Sequence, residues 1–329
     1  MRRTLGVGLL ALFLLPQQVL AAERALRVSY PSPATVYLPL WAAKEAGFFA
    51  KHKLAVELVH VGSSPISLAA FLAGEIDILG GGGSAGPNAF LQGFRDLQFF
   101  AGMNNKFVFS IYAHPSISTA AELRGKKIGV TRLGGTMHFA TRYYLKGTGL
   151  DPYKDVTLVQ VGRAEDIVTA LAGGTVDAGT MSFPFDLKTK ELGYRELADL
   201  SQSGARYASS SFLGRKQFLS DNRQRLESFV KAMIEAIHFV KSRPQEAIKI
   251  LSRYTRLTDP NTLKTTLDLH VAKIWPRVPE IQPEDLRLVL EELGERNPKA
   301  REIDPADLIY GSIVKDVVAS GFVERLYGK

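Results

Sequence analysis

Along the first hundred residues, segments with strand-like spacing of hydrophobic positions alternate with segments that have helical spacing. Leu26 to Tyr30 alternates with a period of two, which predicts a strand, and Val56 to Val61 and Ile76 to Leu79 predict two more. Between these strands, Leu38 to Phe49 carries apolar residues at helical spacing, and Gly62 to Pro65 opens a second helix. Strand, helix, strand, helix, strand is the element order of a parallel α/β unit.

The same element order returns 100 positions later along the chain. Val59 to Gly62 has a counterpart in Val159 to Gly162, and Asp77 has one in Asp177, while Lys127 to Thr131 takes the place of the first strand. Several matches at one offset predict two similar α/β lobes in tandem, each with a mostly parallel sheet. The alternative, that any two α/β units share such a pattern, stays open at this point.

Two apolar segments are candidate crossovers between the lobes, Phe107 to Tyr112 and Tyr207 to Leu213. After the second segment only helical patterns follow, and we expect Gln224 to Ser242, Pro244 to Tyr254 and Leu308 to Val318 to return to the first lobe. The predicted first lobe therefore comprises residues 23–110 and 213–329, and the predicted second lobe comprises residues 111–212.

The first 22 residues have the pattern of an export signal. Arg2 and Arg3 precede an apolar run from Leu5 to Leu15, and small residues around Ala21 suit a signal peptidase. The run is shorter than a membrane-spanning helix, so we predict a cleaved signal peptide over residues 1–22 and a periplasmic protein. An uncleaved N-terminal anchor is the alternative interpretation.

The composition and charge of the chain exclude several classes of function. The chain has 329 residues, 46% of them hydrophobic, which suffices for two buried cores. The net charge is +8, and without Arg2 and Arg3 the remaining 39 basic residues face 33 acidic ones. The basic residues are scattered, so we predict no nucleic-acid partner. The absence of cysteine excludes a lipidated cysteine, a thiol nucleophile and cysteine-ligated metal.

The candidate ligand site lies in the loops after the predicted strands, because ligands of open α/β sheets bind beyond the carboxyl ends of the strands. These loops carry hydroxyl groups and glycines, and the helices behind them offer free N–H groups. Two arginines could supply a forked partner to a carboxylate, sulfonate or phosphate. The predicted ligand-binding residues are Ser32, Thr35, Ser63, Ser64, Gly83, Ser84, Arg132, Gly135, Thr136, Arg163 and Ser182. A plain helix cap at Thr136 and solvent-exposed arginines are the structural alternatives.

An alternative function is suggested by Gly82 to Gly86, which matches the Gly-x-Ser-x-Gly turn of serine hydrolases. A hydrolase using Ser84 would need an acid and then a histidine, for which Asp177 or Asp186 with His270 are the candidates. His270 lies in a predicted helix, and no His-Gly-Gly-Gly segment precedes Ser84, so we predict no catalytic residue. The six histidines share no ligand spacing, and we predict no metal and no cofactor.

Four segments together resemble the nitrate/sulfonate/taurine-type periplasmic binding proteins, a group that also includes binders of pyrimidine precursors. The segments are Leu38 to Phe49, Ala73 to Asp77, Glu122 to Val130 with Gly149 to Pro152, and Ala172 to Ala178. The resemblance implies a type II binding-protein fold, with two lobes joined by two crossovers that close over one solute. It also implies a non-enzymatic monomer that delivers a small, anionic solute to the permease and ATPase subunits of an ABC importer.

Overall fold

The computed structural model of the protein describes residues 24–328, so the predicted signal peptide of residues 1–22 lies outside the described residues. The strands are β1 (Leu26–Tyr30), β2 (Val56–His60), β3 (Leu79–Gly81), β4 (Leu97–Asn104), β5 (Phe109–Ala113), β6 (Lys127–Val130), β7 (Thr157–Gln160), β8 (Ala178–Ser182), β9 (Arg195–Asp199) and β10 (Ser210–Arg215). The α-helices are α1 (Leu38–Glu45), α2 (Phe48–Lys51), α3 (Ser64–Leu72), α4 (Ala85–Leu91), α5 (Thr136–Gly147), α6 (Ala164–Ala172), α7 (Phe185–Glu191), α8 (Lys216–Asp221), α9 (Arg223–Ser242), α10 (Pro244–Thr255), α11 (Pro260–Lys273), α12 (Glu284–Gly294), α13 (Ser312–Ala319) and α14 (Phe322–Tyr327).

The first lobe has a two-stranded sheet of β1 and β2 and a three-stranded sheet of order β3-β10-β4, which one bridge joins into the order β2-β1-β3-β10-β4. Strands β1 and β2 are parallel, and a parallel bridge between Val28 and Ile78 joins β1 to the start of β3. Strand β10 is antiparallel to both β3 and β4. The fourth strand of this sheet therefore comes from the chain that returns after the second lobe.

The sheet of the second lobe repeats this arrangement with the order β7-β6-β8-β5-β9. Strands β6, β7 and β8 are parallel, and β5 is antiparallel to β8 and β9. In both lobes the reversed fourth strand is the one that enters from the other lobe. The predicted architecture of two mostly parallel α/β lobes joined by two crossovers is confirmed. The predicted boundaries near residues 110 and 212 fall at β5 and β10, and the exact division stays a prediction.

The core of the first lobe is built around helix α9, as its apolar stripe predicts. The ring of Phe229 on α9 lies 5.3 Å from the ring of Phe49 and 5.9 Å from that of Phe100, and all three side chains are almost fully buried. A separate apolar cluster fills the second lobe, with Ile111 and Ile167 fully buried within it. Each lobe thus has its own core, which is what lets two lobes move as bodies.

Helix α12, which falls within the predicted first-lobe residues 213–329, contacts both lobes. Leu286 and Leu290 pack in the first lobe, whereas Val289 packs in the core of the second. The predicted helix from Leu308 is also wrong at its start, because Ile309 forms a strand-like bridge with Phe99 and α13 begins only at Ser312. None of the helices within residues 24–328 combines the length and the apolar character needed to cross a membrane.

Candidate functional site

A cavity of about 50 Å³ lies between the two lobes, at the carboxyl ends of their parallel strands. We call it the hydroxyl cavity. The loops after β1, β2, β6 and β8 reach it, as does the chain at both crossovers, which is the position predicted by the strand-end rule. It is lined by Pro31, Ser32, Ala34, Val36, Tyr37, Gly62, Ser63, Ser64, Val108, Phe109, Thr131, Thr136, Met137, Ser182, Ser209 and Ser210.

The lining combines serine and threonine hydroxyls with an apolar wall, and among the described residues no charged side chain lines it. Burial raises the pKa of the Tyr37 phenol far above its usual range, so Tyr37 is a neutral group that hydrogen-bonds with Ser210. A solute in this cavity would meet neutral donors on one side and Val36, Phe109 and Met137 on the other.

Three of the lining hydroxyl groups have no hydrogen-bond partner within the described part of the chain. The Oγ atoms of Ser63, Ser182 and Ser209 are buried and unpaired, in residues that are 4%, 2% and 4% exposed. A buried polar group without a partner costs about 1–3 kcal/mol, so unpaired hydroxyls around a cavity indicate that an occupant completes them.

Two helices point their amino ends at the cavity, one from each lobe. Helix α3 starts at Ser64 and helix α5 at Thr136, and neither has an acidic residue in its first turn or a side-chain hydrogen bond at its N-cap. The Ser64 and Thr136 hydroxyl oxygens lie 3.4 Å apart. Free N–H groups and the positive dipole ends of two helices favour an electron-rich or anionic solute.

The two lobes touch around the cavity. The Thr35 backbone N–H in the first lobe donates to the Phe183 carbonyl in the second at 3.2 Å. A Cβ added to Gly82 would overlap the Thr136 hydroxyl, so only a glycine lets the loop after β3 approach helix α5 this closely. Through these contacts the two lobes meet beside the cavity.

Five of the predicted site residues line the hydroxyl cavity, namely Ser32, Ser63, Ser64, Thr136 and Ser182. Three others lie beside it without lining it. Thr35 is fully buried, with its Oγ1 unpaired. Gly83 packs against Ala208, and Gly135 is the N-cap of α5. Whether any of them contacts a solute stays a prediction.

The two arginines and Ser84 do not line the hydroxyl cavity, and a role for them in binding stays a prediction. Arg163 is 60% exposed at the side chain and pairs with Glu165 at 3.3 Å and Asp166 at 3.2 Å, because the first turn of α6 offers two carboxylates. Arg132 is half-buried and does not line the hydroxyl cavity. Ser84 faces a neighbouring groove, where its Oγ lies 3.5 Å from the Gly134 carbonyl oxygen.

Several lining residues were not predicted from the sequence. Tyr37 was missed because it lies past the loop, in a one-turn 3-10 helix of Thr35–Tyr37. Ser209 and Ser210 lie at the start of the second crossover, where three consecutive serines interrupt an apolar segment. Polar residues in an otherwise buried crossover were an available signal, since buried polar side chains need partners.

The residues proposed for a serine hydrolase are not brought together. Asp177 accepts from the Lys127 backbone N–H at the far end of its strand. His270 lines a cavity that Ser84 does not reach, and its Nδ1 donates to the Thr266 carbonyl at 2.9 Å. The hydrolase alternative therefore has no support. Among residues 24–328, no three histidine, aspartate or glutamate side chains are grouped as metal ligands.

Residues 34–247, well over half of the chain, match the family whose description is "NMT1/THI5 like". The chain belongs to this family. Among its relatives, the Bacillus subtilis protein YtlA is 23% identical over 279 residues, which are 82% of this chain and 83% of YtlA. The nitrate/nitrite binding protein NrtA of Nostoc is 25% identical over 231 residues, covering 62% of this chain and 51% of that protein, and the resemblance to the nitrate/sulfonate/taurine-type binding proteins is confirmed.

Solved structures share the fold of this NMT1/THI5-like chain. The alkanesulfonate-binding protein SsuA of Xanthomonas axonopodis, bound to MOPS, aligns with a TM-score of 0.74 at 21% identity, over 88% of this chain and all of SsuA (100%). The periplasmic nitrate-binding protein NrtA of Synechocystis aligns with a TM-score of 0.73 at 16% identity, over 90% of this chain and 88% of NrtA. At these identities the likeness establishes the fold alone.

Proposed function

We propose that this protein is the solute-binding component of an ABC importer, and that it captures a small anion in the hydroxyl cavity. The observation that carries the proposal is the cavity between twin lobes, lined by unpaired hydroxyls and by two helix amino ends. The structural relatives SsuA, an alkanesulfonate-binding protein, and NrtA, a nitrate-binding protein, support it.

The solute is a nitrate, a short sulfonate or a small carboxylate. A volume of about 50 Å³ has room for about four water-sized groups, which matches a compact anion rather than a large one. Hydroxyl and backbone N–H donors hold the anion without a basic side chain, since hydrogen bonds to a charged group contribute about 1.5–3 kcal/mol each.

The first lobe comprises residues 23–110 and 213–329, and the second comprises residues 111–212. The two lobes rotate about the two crossovers and close on the solute. Contacts that exist only when the lobes meet, such as Thr35 with Phe183, supply the free energy of closure. The closed monomer then docks on the permease of its importer, with no chemical step. A cleaved signal peptide over residues 1–22 delivers it to the periplasm without a lipid anchor.

Melting temperature in the presence of candidate solutes tests the ligand class. We expect nitrate, methanesulfonate or acetate to raise the melting temperature saturably, because a ligand that binds only the native state stabilises it. Ser182→Ala should weaken binding about tenfold or more, while the exposed Ser220→Ala is the matched control. Equal affinities of the two variants, or a response to a neutral pyrimidine alone, would contradict the proposal.

Closure is tested separately by small-angle scattering. The radius of gyration should decrease when the solute saturates the protein, because an open hinge is more extended than a closed one. An unchanged radius at saturation would count against hinge closure even if binding itself were established.

A further inference from the structure

A second cavity, of about 250 Å³, lies on the other side of the first crossover from the hydroxyl cavity. We call it the rear cavity. Val108 and Phe109 line both cavities, so the segment leading into β5 is their common wall. Helix α11 contributes one side of the rear cavity, with Thr265, Leu269 and His270, and the second lobe contributes the other.

The second lobe supplies three carboxylates to the rear cavity. Asp186 on α7 is only 4% exposed, and its Oδ1 accepts from the Leu187 backbone N–H at 2.8 Å. Burial, with the nearby charges of Glu196 and Asp199, raises the pKa of Asp186 to about 7. Among the described residues, Asp186 has no basic side chain at ion-pair distance, and Lys190 is exposed and forms no ion pair with a described carboxylate.

The first lobe supplies an independent feature that points to a ligand. His270 is 3% exposed, and its Nδ1 must donate, because its neighbour at 2.9 Å is the Thr266 carbonyl oxygen. Burial lowers the pKa of His270 to about 4, so the ring is neutral and its Nε2 is a hydrogen-bond acceptor. Within residues 24–328 this Nε2 has no partner.

The rear cavity is therefore lined by hydrogen-bond acceptors from both lobes. The Tyr112 hydroxyl hydrogen-bonds with Glu196, and Asp199 already accepts from the Ser201 backbone N–H at 2.9 Å. Asp186 and His270 are left with free acceptor positions. The rest of the lining includes an apolar part, with Met181, Phe183, Leu187, Leu269 and Ile274, and the hydroxyl residues Ser110, Ser201 and Thr265. An occupant must bring N–H donors, positive charge and an alkyl surface.

We propose that the rear cavity binds a compact protonated amine, whose ammonium group donates to Asp186 and His270 and whose alkyl group contacts the apolar wall. A bare metal ion fits less well, because the described residues offer no group of three metal ligands here. The proposal does not depend on the solute of the hydroxyl cavity.

Ethylammonium chloride is the probe, measured by melting temperature at pH 8, where Asp186 is ionised. We expect a saturable rise of about 3 °C at ten times the dissociation constant, and no saturable rise with equimolar sodium chloride or ethanol. Asp186→Asn keeps the acceptor for Leu187 but removes the charge, and should abolish the rise. Lys190→Met should tighten amine binding, because it removes a competing cation four residues from Asp186 on α7.

The matched control is Asp268→Asn, which alters a carboxylate that is 57% exposed on α11 and should leave the response unchanged. No saturable rise in the parent protein, or an equal rise in Asp186→Asn, would overturn the proposal. If Asp186→Asn fails to fold, His270→Gln tests the site from the other lobe, and a full amine response in that variant would also overturn it. All measurements are made without solute, so failure here leaves the solute-binding proposal untouched.

Discussion

The hydroxyl oxygens of Ser64 and Thr136 lie 3.4 Å apart, although the two residues begin helices in different lobes. Nothing in the chain between them brings them together locally, because they are 72 positions apart. Their proximity is a product of lobe closure, and it places two helix amino ends against one small cavity. Substitutions that keep Ser64 and Thr136 apart should therefore lower the affinity for the solute more than they lower the stability of the fold.

Gly82→Ala is predicted to block closure. The added Cβ would overlap the Thr136 hydroxyl only when the lobes meet, and Gly82 does not have the positive φ that would strain an alanine. We expect solute affinity to fall at least tenfold while the melting temperature of the solute-free protein changes little. Gly147→Ala is the control, since a Cβ there meets nothing within 4 Å. Calorimetric titration of both variants checks this, and equal affinities would refute it.

The ion pair between Arg142 on α5 and Glu292 on α12 is predicted to matter for stability. Both residues are more than nine-tenths buried, at 6% and 7% exposure. Glu292→Gln should cost about 3–5 kcal/mol in free energy of unfolding, because it leaves the Arg142 charge buried without its partner. Replacing both residues by apolar ones of similar size should cost much less.

Urea unfolding of the single and double variants measures this coupling. The pair of Lys188 and Glu191, with both side chains more than 60% exposed, is the comparison, and its removal should cost under about 1 kcal/mol. If the losses of unfolding free energy in the two single variants add up to the loss in the double variant, the charges of Arg142 and Glu292 do not depend on each other.

His138 is predicted to make the protein less stable in acid. Burial, together with the charges of Arg142 and Arg296, lowers the pKa of His138 to about 4. In the unfolded chain this histidine takes up a proton near pH 6.5, which the folded protein cannot do until about pH 4. The contribution of neutral His138 to the stability of the folded protein is therefore present above pH 6.5 and is lost as the pH falls from 6.5 toward 4.

Comparison with His138→Gln isolates this effect from the other titrating groups. Between pH 7 and pH 4.5 the parent should lose about 2 kcal/mol of unfolding free energy relative to the variant. Urea unfolding at both pH values gives the difference, and parallel pH profiles of parent and variant would contradict the prediction.

Asp77 and Asp177 make equivalent hydrogen bonds, one in each lobe. Asp77 accepts from the Arg27 backbone N–H at 2.8 Å, and Asp177 accepts from that of Lys127 at 2.8 Å. Asp77→Ala should cost about 1–2 kcal/mol, and more than Asp177→Ala, because Asp77 also pairs with Arg24 and Arg27. Urea unfolding of the two variants checks the order, and the reverse order would be inconsistent with this assignment.

This equivalence explains why the fold could be predicted from the sequence. A side chain that bonds the backbone of the same neighbouring strand in each lobe repeats with the lobe, so the match of Asp77 with Asp177 reflected real geometry. The strand-end rule then selected loops that line the hydroxyl cavity, because it depends only on strand direction. Ser63 and Ser182 were found in this way.

The direction of long side chains could not be predicted. Arg163 lies at a strand end as expected, but carboxylates in the next helical turn hold its guanidinium away from the cavity. The contacts of α12 with both lobes could not be predicted either, because an amphipathic pattern does not say which lobe the apolar face of a helix will contact. Both depend on neighbours that only the folded chain brings together.

The position of β10 between β3 and β4 has a consequence for the biosynthesis of the chain. The first sheet stays divided until residues after Arg215 have left the ribosome, because its missing strand is made only after the whole second lobe. Up to that point the early half has two unpaired strand edges and cannot finish folding.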